Sequence, residues 1–206
     1  ILGATGIVGS AITKEALSQG YEVTILTRDA KRVKETSSRL TVIEGSVTDR
    51  ATVRKVLEGQ DAVIQSLGIG GKGDGKPTTF VSEANKLIME EMKRMKVRRL
   101  LAISVIGAGD SWKFLPWIYW KLMPIMMKWF KAIIDDKNRM EPMIERSGLD
   151  WTIVRCTTVK EGPAKGNVKA SLDGKGIKYS ITAPDMAKFV VSQLSDNRFM
   201  FKTPVI

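Results

Sequence analysis

The chain opens with ILGATGIVGSAI (residues 1–12), in which glycines stand at positions 3, 6 and 9 behind two apolar residues. This spacing is typical of a strand that turns sharply into a helix. The first glycine allows the tight turn, the second lets the backbone approach a ligand closely, and the third lets the helix pack against the sheet. The run SAITKEALSQG (residues 10–20) continues with apolar residues at helical spacing and ends at a glycine.

The first turn of such a helix offers free backbone N–H groups and the positive end of the helix dipole, a combination that binds phosphate. The next apolar run, YEVTILTR (residues 21–28), predicts a second strand directly after the helix. The glycine pattern therefore lies in the strand–turn–helix–strand context that indicates nucleotide binding, rather than a purely structural turn.

Short apolar runs alternate with longer amphipathic runs along the rest of the chain. Strands are predicted at 22–26, 41–44, 62–66, 100–104 and 152–155, and helices at 10–19, 50–57, 78–93, within 115–134, at 139–146 and at 184–194. This alternation predicts an α/β fold: a Rossmann-like doubly wound parallel sheet with helices on both faces and ligands at the carboxyl ends of the strands. Nothing marks a linker or a repeat, and the first strand is expected to begin upstream of residue 1.

Composition excludes several kinds of chemistry. The 206 residues carry a formal net charge of +11 and contain no histidine and one cysteine, Cys156. The absence of histidine excludes Ser–His and Cys–His nucleophile pairs and the common zinc sites, and we expect no metal. A single cysteine cannot form an internal disulfide and fits a reducing compartment, so we expect a cytoplasmic protein. The basic residues are spread along the chain, which argues against a nucleic-acid partner.

The residues that follow the second strand, TRDAKR (27–32), bear on which nicotinamide dinucleotide is bound. A carboxylate at this point would bond the ribose 2′-hydroxyl and repel a 2′-phosphate. Arg28 and Arg32 are suited to bind a phosphate bidentately, so the charges favour NADP(H) over NAD. Asp29 lies one residue from the expected acidic position, and we interpret it as the cap of a short helix. The alternative is a solvated run of charges.

The loop GIGGKGDGKPTT (residues 68–79) contains a second glycine motif. Gly70, Gly75 and Lys76 satisfy the spacing of a P-loop, but Pro77 stands where a Ser or Thr would hold magnesium. We therefore expect a mobile loop after a strand end, not an ATP site.

Four stretches together resemble a known superfamily: GATGIVG (3–9), YEVTILTRD (21–29), DAVIQSLG (61–68) and ERSGLDWTIVR (145–155). They are similar to the atypical short-chain dehydrogenase/reductases, in particular to the NAD(P)H-binding group that includes flavin reductase (biliverdin-IXβ reductase). The resemblance covers nearly the whole chain and implies a single NAD(P)-binding domain over residues 1–206, with NADP(H) as cofactor.

The resemblance also implies a cofactor site. It assigns the pyrophosphate loop to Gly3, Thr5, Gly6, Ile7, Val8 and Gly9, the 2′-phosphate to Arg28 and Arg32, the adenine to Ser46 and Val47, the adjoining ribose to Leu67 and Gly68, and the nicotinamide to Ser104. The family usually has an aspartate at the position of Ser46.

Two departures from the family concern proton transfer. The Tyr-x-x-x-Lys pair of many short-chain dehydrogenases is absent at Tyr119, because Met123 follows four residues later. Two histidines of the flavin reductase correspond to Thr157 or Thr158 and to Lys137. The resemblance then implies that the cofactor supplies the hydride, while the proton comes from water, Ser104 or Lys137. Ser104 and Lys137 are the catalytic candidates; the alternative for Ser104 is a bond to a cofactor amide only.

The segment SWKFLPWIYWKLMPIMMKWFK (residues 111–131) contains four of the chain's five tryptophans and no acidic residue. Three interpretations stay open: a lid over the substrate, a homo-oligomer interface through Trp112–Lys131, or a peripheral contact with an anionic membrane surface. Prolines and lysines interrupt the apolar run, so a spanning helix is not expected.

The sequence thus favours an NADPH-dependent reductase of a small conjugated or carbonyl substrate, flavin- or quinone-like. The alternative is a non-catalytic NADP(H)-binding sensor that regulates a partner protein.

Overall fold

The computed structural model describes residues 1–69, 76–115, 128–166 and 168–206. Its helices are α1 (Ile7–Ser18), α2 (Arg50–Leu57), α3 (Phe80–Arg94), α4 (Lys128–Glu145) and α5 (Ala183–Ser192). Its strands are β1 (Val23–Thr27), β2 (Leu40–Glu44), β3 (Ala62–Gln65), β4 (Arg99–Val105), β5 (Asp150–Cys156), β6 (Thr158–Lys160) and β7 (Ser180–Thr182). Short 3-10 turns cover Ala30–Arg32, Gly109–Phe114 and Asn197–Phe199.

The main sheet is parallel and follows the doubly wound order. Leu2 stands at its centre, because it bridges to Leu26 on one side and to Gln65 on the other. β1 and β2 extend the sheet in one direction, and β3, β4 and β5 extend it in the other. The order therefore reverses at Leu2, which is the switch point where such folds bind ligands. The Rossmann-like fold predicted from the sequence is confirmed.

Helices cover both faces of this sheet. On one face α1 and α5 enclose a core that includes Ile12, Leu101 and Val190. On the other, α2, α3 and α4 enclose a core that includes Leu100 and Met140. Leu100 and Leu101 are neighbours in β4 and enter opposite cores, because successive side chains of a strand point to opposite faces. Among the residues that the structure describes, no helix has both the length and the apolar composition needed to cross a membrane.

Several predicted boundaries were wrong. Helix α1 begins at Ile7, three residues before the prediction, because Gly6 already serves as its N-cap. Residues 128–145 form one helix, where a helix within 115–134 and another at 139–146 were expected. The short strands β6 and β7 were not predicted, since three residues are too few to show a period. Residues 70–75 and 116–127, and hence most of the second glycine motif and of the aromatic segment, lie outside the described residues.

A buried aspartate of α4 caps the neighbouring helix α3. The Asp136 carboxylate accepts hydrogen bonds from the backbone N–H groups of Val81 (2.8 Å) and Ser82 (3.2 Å) and from the Ser82 hydroxyl (2.5 Å). These N–H groups belong to the first turn of α3, which its own N-cap residue Thr79 does not cap through its side chain. Helix α4 therefore supplies the missing cap of α3 and is fixed against it.

The head of α1 is held by a contact between two glycines. Gly3 adopts a φ of +87°, which favours glycine. A β-carbon placed on Gly9 would lie 2.1 Å from the Gly3 carbonyl oxygen, whereas one placed on Gly6 would lie 3.6 Å from it. Gly9 is thus required for packing, while the protein itself tolerates a side chain at Gly6.

We expect Gly9→Ala to lower the free energy of unfolding by about 3 kcal/mol, because the added methyl must displace backbone atoms. The matched variant Gly6→Ala should stay within about 1 kcal/mol of the wild type, the range of an N-cap change. Urea unfolding followed by circular dichroism measures both. Equal losses for the two variants would contradict the close contact at Gly9.

Candidate functional site

A cleft of about 710 Å³ lies at the carboxyl ends of the strands, around the switch point. It brings together nearly all of the residues expected to bind the cofactor, and the two catalytic candidates with them. The expected residues that line it are Gly3, Thr5, Gly6, Ile7, Val8, Arg28, Arg32, Ser46, Val47, Leu67, Gly68, Ser104 and Lys137. Gly9 is the exception: it does not line the cleft, since it is buried against Gly3 beneath the turn.

The head of α1 presents unpaired donors to this cleft. Its N-cap, Gly6, has no side chain to cap the first turn, and the N–H groups of Ile7 and Val8 have no acceptor among the described residues. The backbone at Gly6 has an ordinary φ of −82°, so its conformation does not require a glycine. The absence of a side chain at Gly6 instead leaves room for a ligand in the cleft. Free N–H groups at a helix N-terminus beside open space fit a diphosphate.

One end of the cleft is basic. Arg28 follows β1, Arg32 ends the next 3-10 turn, and both are exposed. Neither guanidinium has a hydrogen bond or an ion pair within the described part of the chain. The Asp29 carboxylate accepts from the Lys31 N–H at 3.0 Å and so caps that turn, as we interpreted from the sequence. The Asp29 carboxylate thus bonds within its own turn and is not paired with either arginine, so the two arginines remain available to a ligand.

Ser46 also lines the cleft, but its side chain serves the local loop. Its Oγ lies 2.7 Å from the Thr48 Oγ1 and accepts a hydrogen bond from the Thr48 N–H. Ser46, which stands where the family has an aspartate, thus forms its hydrogen bonds within the turn that leads into α2.

The other end of the cleft holds Lys137, on α4. Its side chain is buried, and its Nζ donates to the main-chain oxygens of Ile103 (2.7 Å) and Leu67 (3.2 Å). These carbonyls lie near the ends of β4 and β3, so the ammonium is fixed by the sheet. Burial lowers the pKa of Lys137 to about 8, because the charged form loses its hydration.

Ser104, at the end of β4, is 2% exposed and its Oγ donates to Glu141 Oε1 at 2.6 Å. Glu141 in turn accepts from Arg155, whose Nη2 lies 2.7 Å from Glu141 Oε2. This buried pair was not predicted from the sequence. Two signals pointed to it: an arginine inside the apolar strand TIVRC, and a glutamate four residues after Lys137 on the same helix face.

Other side chains that carry a transferable proton are not suited to this role. The residue four before Lys137 is Ile133, so no tyrosine stands at that spacing before it, and Tyr119 lies outside the described residues. Thr157 donates to the Ile206 carbonyl, and neither it nor Thr158 lines the cleft. Cys156 does line the cleft, but burial raises the pKa of its thiol to about 11 and keeps it protonated at neutral pH.

Comparison with known proteins identifies the family. Residues 3–197 match the model of the NAD(P)H-binding family, and the chain belongs to this family. NAD(P)H is accordingly its cofactor, and the free N–H groups of α1 and the two free arginines fit such a ligand. The chain is also similar to the photosystem II assembly factor Ycf39 of Synechocystis sp., with 24% identity over 219 residues that cover 100% of this chain and 61% of the relative. It spans about three-fifths of the length of this relative.

Solved structures share the fold. ChuY, an anaerobilin reductase from Escherichia coli, superposes with a TM-score of 0.80 at 19% identity, covering 99% of this chain and 93% of that one. A short-chain dehydrogenase/reductase from Veillonella parvula, solved in complex with NADP, gives a TM-score of 0.78 at 19% identity, covering 99% and 91%. At this level of identity the likeness establishes the architecture alone.

The double variant Arg28→Ala/Arg32→Ala should weaken NADPH binding by about a hundredfold and NADH binding by less than about threefold, because only NADPH carries the extra phosphate. Lys31→Ala is the matched control: this exposed lysine lies between the two arginines but does not line the cleft. Isothermal titration calorimetry measures the affinities. Similar losses for both dinucleotides would refute the assignment of the 2′-phosphate to these arginines.

Proposed function

We propose that the chain is an NADPH-dependent reductase of a small conjugated or carbonyl compound, flavin- or quinone-like in shape. The observation that carries this proposal is the buried ammonium of Lys137. Its partners among the described residues are the Ile103 and Leu67 carbonyls and, more weakly, the Met140 sulfur at 3.9 Å, and none of these residues places a carboxylate within ion-pair distance of it. A buried ammonium with no carboxylate bonded directly to it is costly for folding and is typical of a functional group.

The polarity of the cleft supports one orientation of the cofactor. Arg28 and Arg32 lie beside β1, and Ser104 and Lys137 lie on the opposite side of the switch point, at β4 and α4. With the 2′-phosphate at the arginines and the diphosphate at the head of α1, the nicotinamide belongs beside Ser104 and Lys137. When bound there, NADPH supplies a hydride.

The walls around Lys137 suit a flat apolar substrate. Phe80, Val105 and Val159 line the same cleft, together with Ile103 and Leu67. Apolar walls with few polar groups are typical of sites for small conjugated molecules.

Lys137 is the best placed proton donor. With a pKa of about 8, Lys137 is protonated at neutral pH. This pKa is close enough to 7 for the ammonium to release its proton to a substrate. The single proton of Ser104 is already donated to Glu141, so Ser104 does not serve this purpose. We therefore assign to Lys137 the transfer of a proton to the substrate atom that gains negative charge on reduction.

A second candidate function is a sensor that binds NADP(H) and regulates a partner protein without turnover. It is favoured by the isoleucine at position 133, where a tyrosine would complete a Tyr-x-x-x-Lys pair, and by similarity to a protein named as an assembly factor. For either function we propose a cytoplasmic location, which the single cysteine supports.

We expect the purified protein to oxidise NADPH in the presence of a flavin or a quinone. The value of kcat/KM should be constant below about pH 7 and fall tenfold per pH unit above about pH 8, because the active form of Lys137 is the protonated one. Lys137→Met should lower kcat about a hundredfold or more.

Lys137→Arg is the matched control, since it keeps the charge but holds its proton throughout this range. It should be slow, with a flat pH profile up to pH 9. If Lys137→Met turned over NADPH at the wild-type rate, Lys137 would not be the proton donor. Tight NADPH binding without turnover on flavin, quinone and simple carbonyl substrates would favour the sensor.

A further inference from the structure

Four polar side chains form a continuous chain behind the cleft. Ser104 Oγ donates to Glu141 Oε1 at 2.6 Å, and Arg155 donates to both oxygens of Glu141, at 2.7 and 3.2 Å. Arg155 also donates to Asp110 Oδ1 at 2.6 Å. Ser104, Glu141 and Arg155 are buried, and the Asp110 side chain is 62% exposed. The chain thus runs from the cleft floor to the surface.

The direction of the hydrogen bonds in this chain is fixed by its chemistry. An ionised carboxylate only accepts, and a guanidinium only donates. Arg155 contacts both oxygens of Glu141 in the interior, which favours the ionised carboxylate. The one proton of the Ser104 hydroxyl must therefore point to Glu141, and the lone pairs of its oxygen remain for the cleft that Ser104 lines.

We infer that Glu141 is a positioning residue that makes Ser104 a hydrogen-bond acceptor toward the cleft, so that Ser104 selects the carboxamide N–H of the nicotinamide. This inference rests on the cofactor orientation in the proposed function. A serine with the opposite polarity would bind the carboxamide oxygen instead. Glu141 thereby determines which of the two polar atoms of the carboxamide is recognised.

The surroundings hold Glu141 in this role. Arg155 projects from β5 with its guanidinium buried, and its third contact, Asp110, lies in the Gly109–Phe114 turn. A β-carbon on Gly109 would lie 2.3 Å from Arg155 Nη2, so the turn packs directly on the guanidinium. The hydrogen bonds therefore have little freedom to rearrange while Glu141 is present.

The test compares NADP⁺ with its 3-acetylpyridine analogue, in which a methyl group replaces the carboxamide NH₂ and the carbonyl remains. The measured quantity is the ratio of the two dissociation constants, analogue over NADP⁺, obtained by calorimetry. The wild type should favour NADP⁺ by about fivefold, the usual worth of one neutral hydrogen bond. Ser104→Ala should bring the ratio to about one.

Glu141→Gln should also bring the ratio to one or below. The shorter Arg155 contact, to Oε2, keeps the amide oxygen of the introduced side chain on the guanidinium, so its NH₂ faces Ser104 and turns the hydroxyl proton toward the cleft. In the Ser104→Ala background Glu141→Gln should have no further effect on the ratio, as expected for a residue that acts through Ser104. Glu145→Gln, an exposed position one turn further along α4, is the matched control.

Glu141→Asp provides a second variant if Glu141→Gln fails to fold, because it keeps the charge for Arg155 and withdraws from Ser104; it should lower the ratio as well. A wild-type ratio of one, or a Glu141 variant that weakens both ligands equally and leaves the ratio unchanged, would overturn the inference. The dissociation constants are measured without turnover, so their ratio can be determined even if the protein shows no reductase activity.

Discussion

The contact between Gly3 and Gly9 is the constraint on which the cleft depends. A β-carbon on Gly9 would lie 2.1 Å from the Gly3 oxygen, so the first turn of α1 rests directly on the turn that leaves the central strand. This places the free N–H groups of Ile7 and Val8 at the switch point of the sheet. A longer turn or a bulkier residue at position 9 would move these donors away from the strand ends, and the anion site would be lost even if every other residue were kept.

Helix α4 organises the opposite end of the cleft through three polar side chains. Asp136 caps α3, Lys137 binds the main chain at the ends of β3 and β4, and Glu141 binds Ser104 and Arg155. Each is buried, and each would be costly without its partners. Helix α4 is therefore held to the sheet and to α3 by directional bonds as well as by apolar packing, and this gives the lysine and the serine a defined geometry.

The sequence predicted what local patterns encode. Alternating apolar runs gave the five main strands to within two residues at each end, and the glycine spacing gave the turn and helix at the cleft. Asp29 was correctly interpreted as a cap, because its partner, Lys31, is two residues away. The contacts that α4 makes with other elements were not predicted: Asp136 binds Val81, 55 residues away, and Glu141 binds Ser104, 37 residues away. Contacts between such distant residues produce no periodic pattern in the sequence from which they could be predicted.

The amide groups at the head of α1 are the donors that we expect to bind the diphosphate of the cofactor, and amide NMR can observe them one by one. On addition of NADP⁺ to ¹⁵N-labelled protein, we expect the N–H resonances of Ile7 and Val8 to shift downfield as they gain a charged acceptor, while that of Ser10, which already donates to the Gly6 carbonyl at 2.8 Å, changes less. Saturable NADP⁺ binding that leaves the Ile7 and Val8 resonances in place would show that the diphosphate does not bind at the head of α1.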